Sequence, residues 1–259
     1  MLSYQHAFHA GNAADVHKHA LLAAALHYLA RKDKPLFYME THAGRGLYDL
    51  RAPAALKTGE ARAGVERLLA RFPPDHPYVT LLTQVRADHG AGAYPGSPLL
   101  AARLLRPMDR IELAELHPAE HAALVGAAAP FPNVRVHRRD GLEMARAVLP
   151  PMPRRGLVLI DPSWEVRDEY ARMAALLPRL HRLWGVGVLM LWYPILRDRR
   201  HEPMLAALRA ALPAAMVHEV RFPPARAGHG MEGSGMLVVN APWGLAEEAA
   251  AIDAAFGEG

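Results

Sequence analysis

The sequence predicts an α/β fold organised around a mostly parallel, doubly wound sheet. Three observations carry that expectation. Short apolar runs of strand length alternate with longer stretches of helical spacing. At 259 residues, half of them apolar, the chain can bury one sizeable α/β core. And four strand ends carry polar or glycine signatures in sequence order. Leu36-Phe37-Tyr38-Met39 runs into Glu40-Thr41-His42-Ala43-Gly44-Arg45-Gly46, Ile111-Glu112-Leu113-Ala114 ends at Glu115, Val134-Arg135-Val136-His137 leads to Asp140-Gly141, and Gly156-Leu157-Val158-Leu159-Ile160 closes on Asp161-Pro162-Ser163-Trp164. Parallel α/β sheets place their chemistry at such carboxyl ends.

The elements follow in order. A first helix is expected over 12–30, where Ala, Val and Leu recur at helical spacing, Asn12 serves as N-cap and Asp15 follows three residues on. The charged turn Arg31-Lys32-Asp33-Lys34-Pro35 ends it, and a strand over 36–41 comes next. Ala- and Arg-rich helical pieces over 59–72 and 78–89, separated by Pro73-Pro74, then interrupt the rhythm. They predict an inserted helical subdomain over 50–94, with 1–49 and 95–259 as the two parts of the main domain. Ser97 caps a helix over 97–106 with Pro98 at its first position. Strands over 111–115, 134–137, 157–160 and 186–192 alternate with helices over 118–128, 141–149, 169–184 and 202–212. The last two strands, 216–222 and 236–240, are joined by a glycine-rich stretch over 228–235 and no helix, which predicts an antiparallel pair at one side. An alanine-rich helix over 245–256 follows.

Composition excludes several classes. With no cysteine there is no disulfide framework, thiolate metal site or cysteine nucleophile. Met1-Leu2-Ser3-Tyr4-Gln5-His6 shows no basic flank followed by an apolar stretch, and no membrane-length apolar span occurs, so a soluble cytoplasmic protein is expected. A net charge of +4 leans toward polyanionic partners. Arg138-Arg139, Arg154-Arg155 and Arg197-Asp198-Arg199-Arg200 sit beside expected strand ends, although the excess of arginine over lysine also fits biased codon usage.

His42-Ala43-Gly44-Arg45-Gly46 lacks the third glycine of a dinucleotide fingerprint and the lysine of a P-loop, so a ligand without a phosphate fits better. S-adenosylmethionine is such a ligand: Glu115 at the second strand end can accept from both ribose hydroxyls, and Asp140 from the adenine amine. The plainer readings are a capping or solvated acid for Glu115 and an ordinary Asp-Pro turn for Asp161. His6, His9, His17, His19 and His42 crowd the first 42 residues. A metal centre from Asp15, His17 and His19 is disfavoured, because helical residues two apart point to different sides. A role for Lys18 and His19 in holding a ligand carboxylate, with Tyr4 approaching a substrate, is more economical.

The motifs Met1-Leu2-Ser3-Tyr4, His9-Ala10-Gly11-Asn12, Lys18-His19, Thr41-His42-Ala43-Gly44, Tyr94-Pro95-Gly96-Ser97-Pro98, Glu115-Leu116-His117-Pro118, Asp140-Gly141, Ile160-Asp161-Pro162 and Leu191-Trp192-Tyr193-Pro194, in this order, resemble the bacterial RlmJ family. Those enzymes are 23S ribosomal RNA adenine-N6 methyltransferases dependent on S-adenosylmethionine. The resemblance implies a class I methyltransferase with a seven-stranded, Rossmann-like sheet and an inserted helical subdomain. It implies cofactor contacts from Lys18, His19, His42, Gly44, Ser97, Glu115, Asp140, Gly141 and Asp161, and a substrate-RNA contact by Tyr4. No metal and no membrane are implied, and a monomer is expected. Two departures stand out: the family's Asp-Pro-Pro-Tyr is Asp161-Pro162-Ser163-Trp164 here, and the C-terminal tail is shorter.

On this reading Asp161 accepts one N6 hydrogen of an extruded adenine, the Pro162 carbonyl accepts the other, and Trp164 stacks on the base. The alternatives are a non-catalytic RNA- or cofactor-binding paralogue, and a methyltransferase of DNA adenine or a protein amide.

Overall fold

The computed structural model describes residues 5–166, 168–224 and 230–257. After a short 3-10 turn come α1 (Ala13–Ala30), β1 (Phe37–Glu40) and β2 (Leu47–Asp49), then α2 (Pro53–Thr58), α3 (Glu60–Ala63), α4 (Val65–Leu68), α5 (Pro77–His89) and β3 (Ala93–Pro95). The chain continues through α6 (Ser97–Leu104), β4 (Arg110–Ala114), α7 (Pro118–Ala128), β5 (Val134–His137), α8 (Gly141–Val148), β6 (Gly156–Ile160) and α9 (Asp168–Leu183). It ends with β7 (Val188–Leu196), α10 (Glu202–Ala211), β8 (Met216–Arg221), β9 (Met231–Val239) and α11 (Leu245–Phe256).

Seven strands form one sheet in the order β5-β4-β1-β6-β7-β9-β8. Strands β5, β4, β1, β6 and β7 are parallel, and β9 runs antiparallel between β7 and β8. The expected class I sheet, with its antiparallel pair at one side, is the one observed. The chain winds outward from β1 to β5, returns to β6 and winds the other way. The crevice between the carboxyl ends of β1 and β6 is therefore the switch point where such sheets bind ligands.

Alternating side chains divide the core. Phe37 and Met39 of β1 face the cluster that includes Met144, Met173 and Leu205 of α8, α9 and α10. Tyr38 faces the other cluster, with α1, α5, α6 and α11. Helix α1 is buried nearly all round, as an apolar helix covered on every side must be. Its polar residues Asp15, His17, Lys18 and His19 are buried with it, while His27 near its end is exposed. Among the described residues no helix is long and apolar enough to cross a membrane.

Several boundaries differ from the sequence reading. The expected helix over 59–72 is broken at Gly64, where a Cβ would lie 2.1 Å from the Gly11 carbonyl oxygen; the bare backbone lets Val65 N donate to that oxygen at 2.8 Å. Ser97 is the first residue of α6, not its cap; Gly96 holds that position. Strands β2 and β3, which the sequence reading lacked, pair antiparallel from Leu47↔Pro95 to Asp49↔Ala93. Within the glycine-rich stretch, residues 231–235 are strand. Gly235 is needed there because a Cβ would meet the Tyr193 ring at 2.1 Å. Its partner β7 runs on past Trp192 to Leu196. The β6 ladder ends at Leu191, so Pro194, paired with Ser234 of β9, has no strand neighbour on the β6 side.

Gly235→Ala is expected to cost about 1–3 kcal/mol through this overpacking. Urea unfolding checks it: the midpoint should fall with an unchanged slope, and a wild-type midpoint would show that the Tyr193 ring yields freely.

Candidate active site

A cleft of about 520 Å³ opens at the carboxyl ends of β1, β4, β5, β6 and β7. It gathers Lys18, His19, His42, Gly44, Ser97, Glu115, Asp140, Gly141, Asp161, Pro162 and Trp164, the residues singled out from the sequence. Tyr4 lies outside the described residues.

Lys18 is the centre of its polar wall. Its Nζ is 2.6 Å from Asp161 Oδ2 and 3.2 Å from Asp15 Oδ1. Burial opposes the charge on Lys18, but Asp161 and Asp15 outweigh it and raise its pKa, so the group is a buried ammonium. Burial likewise opposes the charge of Asp15, yet His6, Lys18 and His19 hold that acid well below its ordinary range. Asp15 also accepts from Gly11 N and pairs with His6 Nε2 at 2.8 Å, which ties the N-terminal segment to the cleft.

His19 is placed differently from a carboxylate clamp. Its ring is buried, Nδ1 meets the Tyr94 hydroxyl at 2.9 Å, and burial drives its pKa down to about 3. It therefore meets the cleft as a neutral imidazole. His17, two residues earlier, faces Ser234 and His218, so the two histidines have separate partners, as their spacing requires.

After β1, Thr41 Oγ1 and His42 Nδ1 lie 2.8 Å apart, and burial lowers the His42 pKa against the opposing pull of Asp161 and Asp140. Gly44 adopts φ +63°, and a Cβ there would meet the Tyr48 hydroxyl at 2.6 Å. Its N–H donates to Glu115 Oε2 at 2.8 Å, while Glu115 Oε1 accepts from His117 N at 2.7 Å. Asp140 Oδ1 caps α8 by accepting from Leu142 N and Glu143 N. Both acids are thus fixed by main-chain donors, and each carboxylate keeps lone pairs for a ligand. Gly141 has a packing reason of its own, since a Cβ would lie 1.9 Å from the Thr41 carbonyl oxygen.

Asp161 is 16% exposed and gives one oxygen to Lys18; its other oxygen has no partner among the described residues. Trp164 differs from the open stacking surface expected of it. Its ring is buried against Tyr170 with centroids 4.5 Å apart, and its Nε1 has no partner among the described residues. It holds φ +58°, a region costing a non-glycine residue about 1–2 kcal/mol.

Two participants escaped the sequence reading. Trp192 lines the cleft with its ring 5.5 Å from the Lys18 Nζ. Glu40 lies buried at the end of β1, accepting a short hydrogen bond from the Tyr38 hydroxyl. Burial pushes its pKa up to about 8 against the opposing effect of the Tyr38 and Ser97 hydroxyls, so near neutrality it is a carboxylic acid. An acid closing an apolar strand was the available signal.

A family model described as "Ribosomal RNA large subunit methyltransferase D, RlmJ" matches residues 33–256. The chain belongs to the RlmJ family. Two RlmJ relatives, each named "Ribosomal RNA large subunit methyltransferase J", come from Escherichia coli K12 and Haemophilus influenzae. The first is 36% identical, covering 96% of this chain and 90% of the relative. The second is 38% identical, covering 95% and 89%. The crystal structure of protein LPL1258 from Legionella pneumophila superposes with a TM-score of 0.86 at 34% identity, covering 94% of this chain and 91% of that one.

Glu40 generates a prediction about pH. The unfolded chain ionises this group above its ordinary 4.5, whereas the folded protein keeps it protonated to about 8. The unfolded state therefore binds fewer protons in that window, and this group's contribution to stability is lost as pH rises through it. Glu40→Gln cannot ionise, so the melting temperature of the variant relative to wild type should climb between pH 5 and 8. A difference independent of pH would show that Glu40 is already ionised in the folded protein.

Proposed function

We propose that this chain transfers a methyl group from S-adenosylmethionine to the N6 amine of an adenine in 23S ribosomal RNA, acting as a cytoplasmic monomer. Membership of the RlmJ family carries the enzyme class, ribosomal RNA methyltransferase. The observation that carries the chemistry is the unpartnered oxygen of Asp161 beside the Pro162 main chain, at the end of a strand and held by a buried ammonium.

The cleft fits the cofactor. Its volume lies in the range of small-molecule sites. Gly44 brings bare backbone to the cleft wall and holds Glu115 through its N–H. Glu115 and Asp140 would hold the ribose hydroxyls and the adenine amine, with Lys18, His19, His42, Ser97 and Gly141 completing the wall. When bound, S-adenosylmethionine supplies an electrophilic methyl group on a sulfonium.

The protein's part is to make a poor nucleophile reactive. The lone pair of an exocyclic adenine amine is delocalised into the ring. Asp161, through its unpartnered oxygen, accepts one N–H, and the Pro162 carbonyl accepts the other. The nitrogen then becomes pyramidal, with its lone pair turned away from both acceptors, and positive charge developing on it is stabilised. Lys18 fixes the carboxylate in that orientation and spares it a search among rotamers. As the N–C bond forms the sulfonium S–C bond breaks, and the methylated nitrogen then loses one proton to solvent; orientation rather than proton storage is the work asked of Asp161.

Tritium transfer from labelled cofactor to protein-free 23S RNA tests the reading. Wild type should label the RNA, and Asp161→Asn should lower kcat by about 10²-fold or more. Labelling of DNA or protein in place of RNA, or cofactor binding with no transfer to RNA, would overturn it. Glu115→Ala should weaken cofactor affinity by about 10-fold in calorimetry, having lost an acceptor for ligand hydroxyls. An unchanged affinity would remove Glu115 from the ribose role.

A further inference from the structure

A chain of hydrogen bonds leads from the cleft to the protein surface. Trp192 Nε1 donates to Ser234 Oγ at 2.9 Å, Ser234 Oγ is 2.8 Å from His17 Nδ1, His17 Nε2 is 2.9 Å from His218 Nδ1, and His218 Nε2 is 2.9 Å from Asp253 Oδ1. The five residues stand on β7, β9, α1, β8 and α11. Only Trp192 lines the cleft. His17 and Ser234 are fully buried, whereas Asp253 is exposed.

The chemistry of its two ends fixes the direction of every bond. An indole nitrogen can only donate and a carboxylate can only accept. With both imidazoles neutral, one arrangement satisfies all four links. Ser234 accepts from Trp192 and donates to His17 Nδ1, His17 donates from Nε2 to His218 Nδ1, and His218 donates from Nε2 to Asp253. Reversing the middle links requires a cationic imidazole and leaves the Ser234 hydroxyl hydrogen without an acceptor in a fully buried place. Burial, together with the neighbouring His218, holds the His17 pKa well below its ordinary value, in keeping with a neutral ring.

The chain ends at the indole beneath the ammonium that grips Asp161. Lys18 Nζ sits 5.5 Å from the Trp192 ring centroid and 2.6 Å from Asp161 Oδ2. Rotation of the indole would remove the electron-rich face from under the ammonium and leave Lys18 without that support.

We propose that Ser234, His17, His218 and Asp253 are positioning residues that lock the Trp192 indole under Lys18 and, through Lys18, set the orientation of Asp161. This inference rests on the role given to Asp161 above. The surface carboxylate thereby governs a rotamer inside the cleft without touching the ligands.

The experiment joins nitrogen-15 NMR to kinetics, with Trp192→Phe used to assign the indole signal. In wild type near pH 7.5, both His17 and His218 should be the Nε2–H tautomer. Asp253→Ala, a change on the exposed side of α11, should keep the fold, shift the Trp192 indole N–H resonance and lower kcat by about 10-fold, with the KM for cofactor within about twofold of wild type. Ser234→Ala should do the same more strongly. A merely structural role would lower the melting temperature and leave the indole resonance and kcat unmoved. An Nδ1–H tautomer at His17, an unmoved indole signal in Asp253→Ala, or a wild-type kcat in both variants would overturn the proposal. The NMR readouts need no substrate, so a failure of RNA labelling by wild type would count against the Asp161 reading alone.

Discussion

The site depends on one buried ammonium. Lys18 lies between Asp15 and Asp161, and removing three charged groups from water is tolerable only because each meets an opposite charge at hydrogen-bonding distance. Deleting Lys18 would take the shared counter-charge from both carboxylates at once. The cluster also joins parts of the chain far apart in sequence, since Lys18 and Asp161 are separated by 143 positions. The end of β6 is thereby tied to α1.

Close backbone approach is the second constraint. Gly156 allows β6 to lie against the Phe37 carbonyl of β1, Gly141 lets the start of α8 press on Thr41, and Gly64 brings the start of α4 against Gly11. At each place a Cβ would fall within about 2 Å of another backbone atom. The Gly141 contact presses the start of α8 onto the residue that follows β1, on the side of the sheet where the cleft opens. Glu115, Asp140 and Asp161, carried on three strand ends, share that cleft.

The fold was largely legible because strands of a parallel sheet read as apolar runs and their ends as polar breaks. Glu115, Asp140 and Asp161 could be found by that logic alone. What stayed hidden depended on pairing and packing. The three-residue strands β2 and β3 are too short to show a period. Glycines at 233 and 235 signalled a loop, although the Tyr193 ring packed over Gly235 made them part of a strand. Trp164 looked like a stacking surface because the sequence cannot say which face of a ring is already covered, here by Tyr170. Glu40, too, could be seen as an acid but not as a neutral one. Its protonation follows from burial, which a local sequence pattern does not specify.

The polar groups of α1 argue that this helix serves the site at a cost to the fold. A buried helix of alanine and leucine would pack without desolvating Asp15, His17, Lys18 or His19, and replacing buried ion pairs with apolar residues is often stabilising. These groups gain from one another only in a single arrangement, with Lys18 on Asp161, His17 on Ser234 and His218, and His19 on Tyr94. An apolar surface would tolerate small rotations and slips of α1 over the sheet. This set of directed bonds does not, because any slip breaks several at once. The helix thus exchanges stability for register, and register delivers what the chemistry needs: a carboxylate held at a fixed angle at the end of β6.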